Sequence, residues 1–169
     1  KQGGLSAPGA ALVNGAAAHA LDFDDNCYDG FVHGSAVIVP AAIAAAEAAE
    51  AAGADLLLAF VAGCEAEFAV GAAATPLLYE KGWWTTGVLG PVGASVAAAK
   101  LLGGDAGTIA SALGLAVAGT GGAKACFGTD GKPALCGRAA EAGVTAALMA
   151  KAGLTGPHRA FEDGRGFAA

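Results

Sequence analysis

The stretch GVLGPVGASVAAAKLLGGDAGTIASALGLAVA, residues 87–118, decides the fold class of this 169-residue chain. Alanine, the residue with the highest helix propensity, fills two runs that are separated by Gly103-Gly104 and Asp105. Glycine commonly ends a helix, and an aspartate that follows it accepts hydrogen bonds from the free N–H groups of the next helix. The stretch therefore predicts helices over 87–102 and 106–118, with Asp105 as the N-cap of the second helix.

The same pattern of alanine and glycine continues on both sides of this stretch. It predicts further helices over 9–25, 40–52, 55–74 and 133–152, and the start of another short helix within 154–169. Pro40 and Pro133 are expected in first turns, where the missing N–H is harmless. No alternating run bounded by turn residues predicts a strand. Because small residues let helix axes approach closely, we expect an all-α fold, a compact Ala/Gly-rich bundle of about six helices.

Composition excludes several classes of protein. Hydrophobic residues make up 55% of the chain, charged residues 14%, and the formal net charge is −6. Disordered chains have the opposite balance, and nucleic-acid binding usually requires a basic face that is missing here. The charge-free stretches 83–99 and 106–123 are close to the length of a membrane span, but Gly, Ser and Thr interrupt them. Four cysteines without CxxC spacing predict free thiols, so we expect a cytoplasmic protein with no membrane partner.

Polar side chains are concentrated between His19 and His33 in an otherwise apolar chain. Asp22 falls three residues after His19, which puts both on one face of the predicted first helix. Acidic groups at a helix C-terminus oppose the helix dipole, so their accumulation there favours a functional site. A solvated acidic loop is the alternative interpretation. Asp and His also suit Mg²⁺, Mn²⁺ or Zn²⁺, but no HExxH or DxDxDG spacing supports a metal site, and we predict none.

Two further segments carry candidate site residues. Lys132 lies directly before the predicted helix 133–152, where the helix dipole lowers the pKa of a lysine and suits it to act as a base or to contact an anion. An exposed loop lysine is the alternative. The segment is no phosphate-binding loop, because Pro133 stands where Ser or Thr is required. Trp83 and Trp84, on a predicted loop, are candidates for lining a pocket, and a core role for one of them is the alternative.

An ordered set of motifs extends over nearly the whole chain, and its order is more specific than any single member. It comprises Asn14-Gly15, His19-Ala20-Leu21-Asp22-Phe23-Asp24-Asp25, His33-Gly34-Ser35, Pro40-Ala41-Ala42, Gly82-Trp83 with Thr86, Leu101-Leu102-Gly103, Ala112-Leu113-Gly114-Leu115-Ala116, Lys132-Pro133 with Gly137, and Leu154-Thr155-Gly156-Pro157. This set resembles the MmgE/PrpD family. Members of that family include 2-methylcitrate dehydratase, cis-aconitate decarboxylase and iminodisuccinate epimerase.

The resemblance implies that residues 1–169 form one all-helical domain of the family's N-terminal type, truncated at both ends, with the α/β second domain of the longer protein absent. It also implies a homodimer, an active site without a cofactor, and a small di- or tricarboxylate substrate. The chain by itself is then expected to be inactive.

The resemblance further implies a lyase that abstracts a proton alpha to a carboxylate. The first expectation is a carbon–oxygen hydro-lyase that removes water from a 2-methylcitrate-like acid, as in propionate metabolism. A decarboxylase or epimerase of the same family is an alternative, and so is a non-catalytic helical dimerisation module.

Site residues are carried over from the family by position. His33 and Lys132 are expected to handle a proton and a substrate carboxylate in one shared cavity, and Asp22 is expected to orient His33. These three are the predicted catalytic residues. The predicted substrate-binding residues are Asn26, Trp84, Thr86 and Cys136. Many family members have histidine at the positions of Trp84 and Cys136.

Overall fold

Helices account for all of the regular structure in the computed structural model, which describes residues 4–167. The seven α-helices of the described residues are α1 Ala7–Ala18, α2 Gly34–Ala49, α3 Gly53–Ala74, α4 Leu77–Glu80, α5 Thr85–Leu101, α6 Ala106–Ala116 and α7 Gly131–Lys151. Two short 3₁₀ turns cover Val117–Gly119 and Lys124–Cys126. Within residues 4–167, β-type pairing is limited to two isolated bridges, Cys27 with Val32 and Trp83 with Ala123. The predicted all-α fold is confirmed.

Helix α5 is the centre of the bundle, because every one of its residues except Lys100 is buried. It packs against α2, α3, α6 and α7, while α1 packs against α2 and α7. Most of the buried core is alanine, and Trp84, directly before α5, is the largest fully buried side chain. A core of such small residues requires short distances between helix axes, as the alanine and glycine content predicts.

Helices α1 and α7 come closest at a pair of glycines. A Cβ atom added to Gly137 would lie 2.2 Å from the carbonyl oxygen of Leu12, and one added to Gly15 would lie 3.0 Å from the Cα of Gly137. Any side chain at Gly137 would therefore push the helices apart. His19 follows Gly15 by one turn, and Lys132 precedes Gly137 by little more than one turn, so this contact brings both residues to the same end of the bundle.

The first helix ends earlier than predicted. It was expected over 9–25, but α1 ends at Ala18, with His19 as its C-cap residue. Asp22 has a φ angle of 56°, which lies outside the helical region. The acidic residues that follow would oppose the helix dipole if the helix continued, so the chain turns away instead. His19 and Asp22 consequently do not share a helix face.

Helices α2 and α7 begin earlier than predicted, which changes the positions of Pro40 and Lys132. Helix α2 starts at Gly34, so Pro40 lies in its middle and not in its first turn. A proline inside a helix cannot donate a backbone hydrogen bond. The burial of most of this helix offsets that loss. Helix α7 starts at Gly131, and Lys132 therefore belongs to its first turn and does not precede it.

Helices α3 and α5 also begin two residues early, and α6 begins where it was predicted. Asp105 caps α6 as predicted, and its carboxylate accepts a hydrogen bond of 2.8 Å from the N–H of Thr108. The short helix α4 forms within the segment 76–86, which was expected to be a loop. Residues 154–167 form turns and no further helix.

Helix α3 is the one helix within residues 4–167 that is long and apolar enough to cross a membrane, with a mean hydropathy of 1.7. Length and composition are weak evidence for a span. One flank of α3 is built into the bundle, because a Cβ atom on Gly63 would lie 2.7 Å from the carbonyl oxygen of Gly93 in α5. The other flank exposes Leu57, Leu58 and Val61. Helix α3 is thus a member of the bundle with an apolar outer face.

Replacing Gly137 with alanine is expected to lower the free energy of unfolding by about 1–3 kcal/mol, because the new methyl group overlaps the backbone of α1. Gly107→Ala in α6 is the matched control, since its Cβ would make only an ordinary contact of 3.6 Å with Asp105. Urea unfolding of both variants measures the difference. Equal stability of the two variants would contradict the close contact between α1 and α7.

Candidate active site

A cavity of about 220 Å³ lies where the segment after α1 meets the starts of α2, α5 and α7. His33 and Lys132 both line it, although they are far apart in the sequence. The other lining residues are Asn26, Phe31, Tyr79, Trp84 and Phe127. The cavity therefore combines one imidazole and one ammonium group with a mostly aromatic wall.

The carboxylate of Asp24 contacts two histidines, His19 and His33. The Nδ1 atom of His19 lies 2.8 and 2.9 Å from the two carboxylate oxygens of Asp24. The Nδ1 atom of His33 lies 3.1 Å from Asp24 Oδ2 and 3.0 Å from the carbonyl oxygen of Asp25. Because a carbonyl oxygen can only accept, His33 Nδ1 carries a hydrogen, and the neutral ring has its lone pair on Nε2. The carboxylate of Asp24 likewise accepts a hydrogen bond from Nδ1 of His19.

Asp22 connects the histidines to the lysine. Lys132 Nζ donates a hydrogen bond of 2.6 Å to Asp22 Oδ2. The other oxygen, Oδ1, lies 3.5 Å from His19 Nε2 and 3.9 Å from His33 Nε2. The hydrogen bond from Lys132 lowers the pKa of Asp22, so this side chain is a carboxylate at neutral pH.

His33 is held in place by the start of α5. Its backbone N–H donates a hydrogen bond of 3.0 Å to the hydroxyl of Thr86, and the hydroxyl of Thr85 donates to the carbonyl of Phe31. Burial lowers the pKa of His33, and this effect outweighs the opposing attraction of Asp24. The imidazole is therefore neutral at neutral pH, with an Nε2 atom that is able to accept a proton.

The ring of Trp84 packs against His19, Phe127 and the ammonium group of Lys132. Its ring stacks on His19 with a centroid distance of 5.3 Å, and Phe127 meets it edge-on at 6.1 Å. Lys132 Nζ lies 5.6 Å from the Trp84 ring centroid and 5.2 Å from that of Phe127, within the range of cation–π attraction. The ammonium group is thus held by Asp22 on one side and by two aromatic rings on the other.

The structure brings most of the predicted site residues together. Asn26, His33, Trp84 and Lys132 line the cavity, and Asp22 contacts Lys132.

Two predicted substrate-binding residues lie elsewhere. Thr86 is fully buried and acts on the backbone of His33, and Cys136 is fully buried in the hydrophobic core. Neither is among the residues that line the cavity. Burial raises the pKa of the Cys136 thiol, so it is no thiolate at neutral pH.

Two residues of the site were absent from the predicted set, His19 and Asp24. Both belong to the polar run after α1, which was the available signal. Their roles follow from the end of the helix at Ala18, because a helix continuing to residue 25 would direct Asp24 away from His19.

A second buried acid, Glu67 of α3, lies beside the start of α2. A Cβ atom added to Gly34 would be 3.4 Å from its Oε2 atom, and its two carboxyl oxygens are buried without a hydrogen-bond partner among residues 4–167. Burial raises the pKa of Glu67 to about 8, and the charge of Asp25 contributes to the rise. Glu67 is therefore mostly protonated at neutral pH.

The fold and the site together define a class of protein: an all-helical domain with two histidines, two aspartates and a lysine grouped at an aromatic cavity. The chain belongs to the MmgE/PrpD family, since the family model described as MmgE/PrpD N-terminal domain matches residues 1–169.

Curated relatives match the same region. Cis-aconitate decarboxylase of Homo sapiens is 37% identical over 169 residues, and that of Mus musculus is 36% identical over 169 residues. Each alignment covers 95% of this chain and 34% of the relative. The cis-aconitate decarboxylase-like protein oryM of Aspergillus oryzae is 33% identical over 162 residues, which cover 90% of this chain and 34% of oryM. The chain thus spans about a third of the length of these relatives.

Glu67→Gln is expected to stabilise the protein at alkaline pH and to change little at acidic pH. Between the unfolded pKa of 4.5 and the folded pKa of about 8, folded Glu67 keeps a proton that the unfolded chain has released. Its contribution to stability therefore falls by up to about 1.4 kcal/mol per pH unit as the pH rises through this range. Glutamine cannot ionise, so the variant lacks this loss.

Urea unfolding of the wild type and of Glu67→Gln across this pH range measures the effect. The titratable groups whose charges interact with Glu67 are Asp25, Cys64 and Cys136, and they are the same in both proteins. A stability difference that stays constant from acidic to alkaline pH would contradict the raised pKa of Glu67.

Proposed function

We propose that this chain is the helical domain of a lyase that acts on a small tricarboxylate. The observation that carries the proposal is the presence of His33 and Lys132 on one cavity, with Asp22 in contact with Lys132 and near His33. Membership of the MmgE/PrpD family and similarity to decarboxylases support the same conclusion.

The two groups suit a reaction that develops negative charge on carbon next to a carboxylate. The ammonium group of Lys132 would bind a substrate carboxylate and stabilise the charge that spreads into it. His33 Nε2 would take up a proton or, once protonated, return one to carbon. The aromatic wall of Trp84 and Phe127 limits the water around both groups, which strengthens their electrostatic effect.

Decarboxylation of cis-aconitate is the first reaction to test, because the curated relatives carry that name. In such a reaction the bond from carbon to the departing carboxylate breaks and CO₂ leaves. The electron pair stays on the carbon skeleton and is quenched by a proton. The sequence predicts decarboxylation as an alternative to dehydration, and the names of the relatives favour testing decarboxylation first.

Dehydration of a 2-methylcitrate-like acid is the second candidate. Its favouring observation is the hydrogen bond from His33 Nδ1 to the carbonyl of Asp25, which leaves an unprotonated Nε2 suited to removing a proton from carbon. The electron pair of the broken C–H bond would form the double bond, and hydroxide would leave with a proton as water.

The proposal also concerns the full-length protein to which this domain belongs. Since the chain spans about a third of its relatives, we infer that a second domain completes the active site and that the present chain alone has no turnover. A cytoplasmic location belongs to the same proposal. A homodimer is supported by the outer face of α3, where Leu57, Leu58 and Val61 form an exposed apolar surface.

Lys132→Met and His33→Gln in the full-length protein are each expected to reduce turnover by about 100-fold or more, because each removes one of the two reacting groups. Lys151→Met, at the far end of α7, and His158→Gln, outside the cavity, are the controls. CO₂ release from cis-aconitate and dehydration of 2-methylcitrate are measured for every variant. Normal turnover by either site variant, on whichever substrate the wild type uses, would refute these roles.

Leu58→Glu is expected to weaken the homodimer, because it puts a charge into the apolar outer face of α3. Sedimentation velocity of the full-length protein over a range of concentrations measures the change. Glu65→Gln, an exposed position on the same helix, is the control. If Leu58→Glu dimerises as strongly as the wild type, this face is not the dimer interface.

A further inference from the structure

We propose that Glu67 is a positioning residue of the candidate active site. Its uncharged carboxyl group supports the backbone turn His33-Gly34-Ser35 and thereby holds the imidazole of His33 in place. The inference rests on the proposed function, in which His33 transfers a proton. Glu67 does not line the cavity, so it acts on the reaction through this turn.

The first observation is the direct packing of Glu67 against the turn. A Cβ atom added to Gly34 would lie 3.4 Å from Glu67 Oε2 and 3.1 Å from the ring of Phe68. Helix α5 comes equally close on another side, because a Cβ atom added to Gly93 would lie 3.0 Å from the Cβ of Glu67. The side chain of Glu67 is therefore enclosed between α5 and the start of α2, and its displacement would disturb the backbone at Gly34.

The second observation is that the residues on both sides of Gly34 are bonded to Asp25. The Nδ1 atom of His33 donates a hydrogen bond of 3.0 Å to the carbonyl oxygen of Asp25. The backbone N–H of Ser35 donates one of 3.0 Å to Asp25 Oδ1. Asp25 and the turn thus form one hydrogen-bonded unit, which sets the orientation of the His33 ring, and Glu67 packs against this unit.

The third observation is that Glu67 suits this position only without a charge. Its side chain is fully buried, and neither carboxyl oxygen has a hydrogen-bond partner among residues 4–167. Burial raises the pKa of Glu67 to about 8, and the negative charge of Asp25 raises it further. At neutral pH the carboxyl group is therefore mostly protonated, and it does not repel the carboxylate that holds Ser35.

The other titratable groups near Glu67 do not supply a compensating charge. Cys64 of α3 and Cys136 of α7 are neutral, since burial raises the pKa of the first thiol to about 12 and also raises the pKa of the second. Helices α2 and α5 carry titratable side chains only toward their far ends, Glu47 and Lys100. His33, the residue before Gly34, is neutral because burial lowers its pKa.

Ionisation of Glu67 would place an uncompensated negative charge beside the carboxylate of Asp25. A buried charge without a partner is unfavourable, so the two carboxylates are expected to move apart and to admit water between them. The hydrogen bonds from His33 and Ser35 to Asp25 would then weaken, and the imidazole would lose its fixed orientation. Turnover is therefore expected to fall as the pH rises through about 8.

The pH dependence of kcat in the full-length wild type and in Glu67→Gln tests this role. Glutamine has nearly the same size as glutamate and does not ionise. We expect the wild type to lose about 10-fold in kcat from pH 7 to pH 9, because one pH unit above a pKa leaves about a tenth of the group protonated. Glu67→Gln is expected to lack this fall. Glu65→Gln, at an exposed acid of the same helix, is the control and should behave like the wild type.

Nuclear magnetic resonance of the full-length protein labelled with ¹⁵N-histidine gives a readout that does not require turnover. The imidazole resonances of His33, assigned by their loss in His33→Gln, are expected to change with a midpoint near pH 8 in the wild type and to stay constant from pH 7 to pH 9 in Glu67→Gln. If this difference is seen but the wild type converts neither cis-aconitate nor 2-methylcitrate, the proposed function fails while the positioning of His33 by Glu67 stands.

Two results would overturn the inference. One is a set of His33 resonances that does not change between pH 7 and pH 9 in the wild type, or that changes equally in Glu67→Gln. The other is an active enzyme in which kcat has the same pH dependence with glutamate and with glutamine at position 67.

Discussion

The contact between Gly15 and Gly137 is the constraint on which the rest of the site depends. The two helices meet there at a distance that no side chain permits, with the added Cβ of Gly137 2.2 Å from the carbonyl oxygen of Leu12. One turn beyond this point, α1 ends and the polar segment begins, while Lys132 lies in the first turn of α7. This close approach brings the first turn of α7 beside the segment after α1, where Lys132 donates to Asp22.

Ion pairs and hydrogen bonds hold the site residues together, whereas apolar packing holds the rest of the bundle. Asp24 lies against two imidazole rings, and Asp22 neutralises the one ammonium group of the cavity. Each carboxylate thereby has a partner, as buried or half-buried charges require. In the part of the chain that the structure describes, the Nε2 atom of His19 is buried without a hydrogen-bond partner.

Much of the fold was predictable, because alanine-rich runs separated by glycine have a high local helix propensity. Asp105 adds a local start signal for α6. The boundaries that were mispredicted depend on tertiary structure. Pro40 is tolerated inside α2 by burial, which no local rule reveals, and α1 ends at Ala18 because its acidic continuation is turned toward partners elsewhere in the chain.

For the site, the resemblance supplied Asp22, His33 and Lys132, and the structure brings these three together. The pairing of His19 with Asp24 could not be read from sequence spacing, because it depends on where the helix stops. The indirect role of Thr86, through the backbone of His33, depends on the packing of α5 against the preceding segment. Cys136 illustrates the limit of transfer by position, since its thiol belongs to the core.

The imidazole of His33 and the ammonium of Lys132 both belong to one packed helical unit. Movement of another part of the protein against this unit would change how easily small molecules reach the cavity. The spacing of the two groups is set by contacts within this unit, from Thr86 to His33 and from Asp22 to Lys132. Admission of a ligand and alignment of the reacting groups are therefore separable, and they can be altered by changes at different places in the molecule.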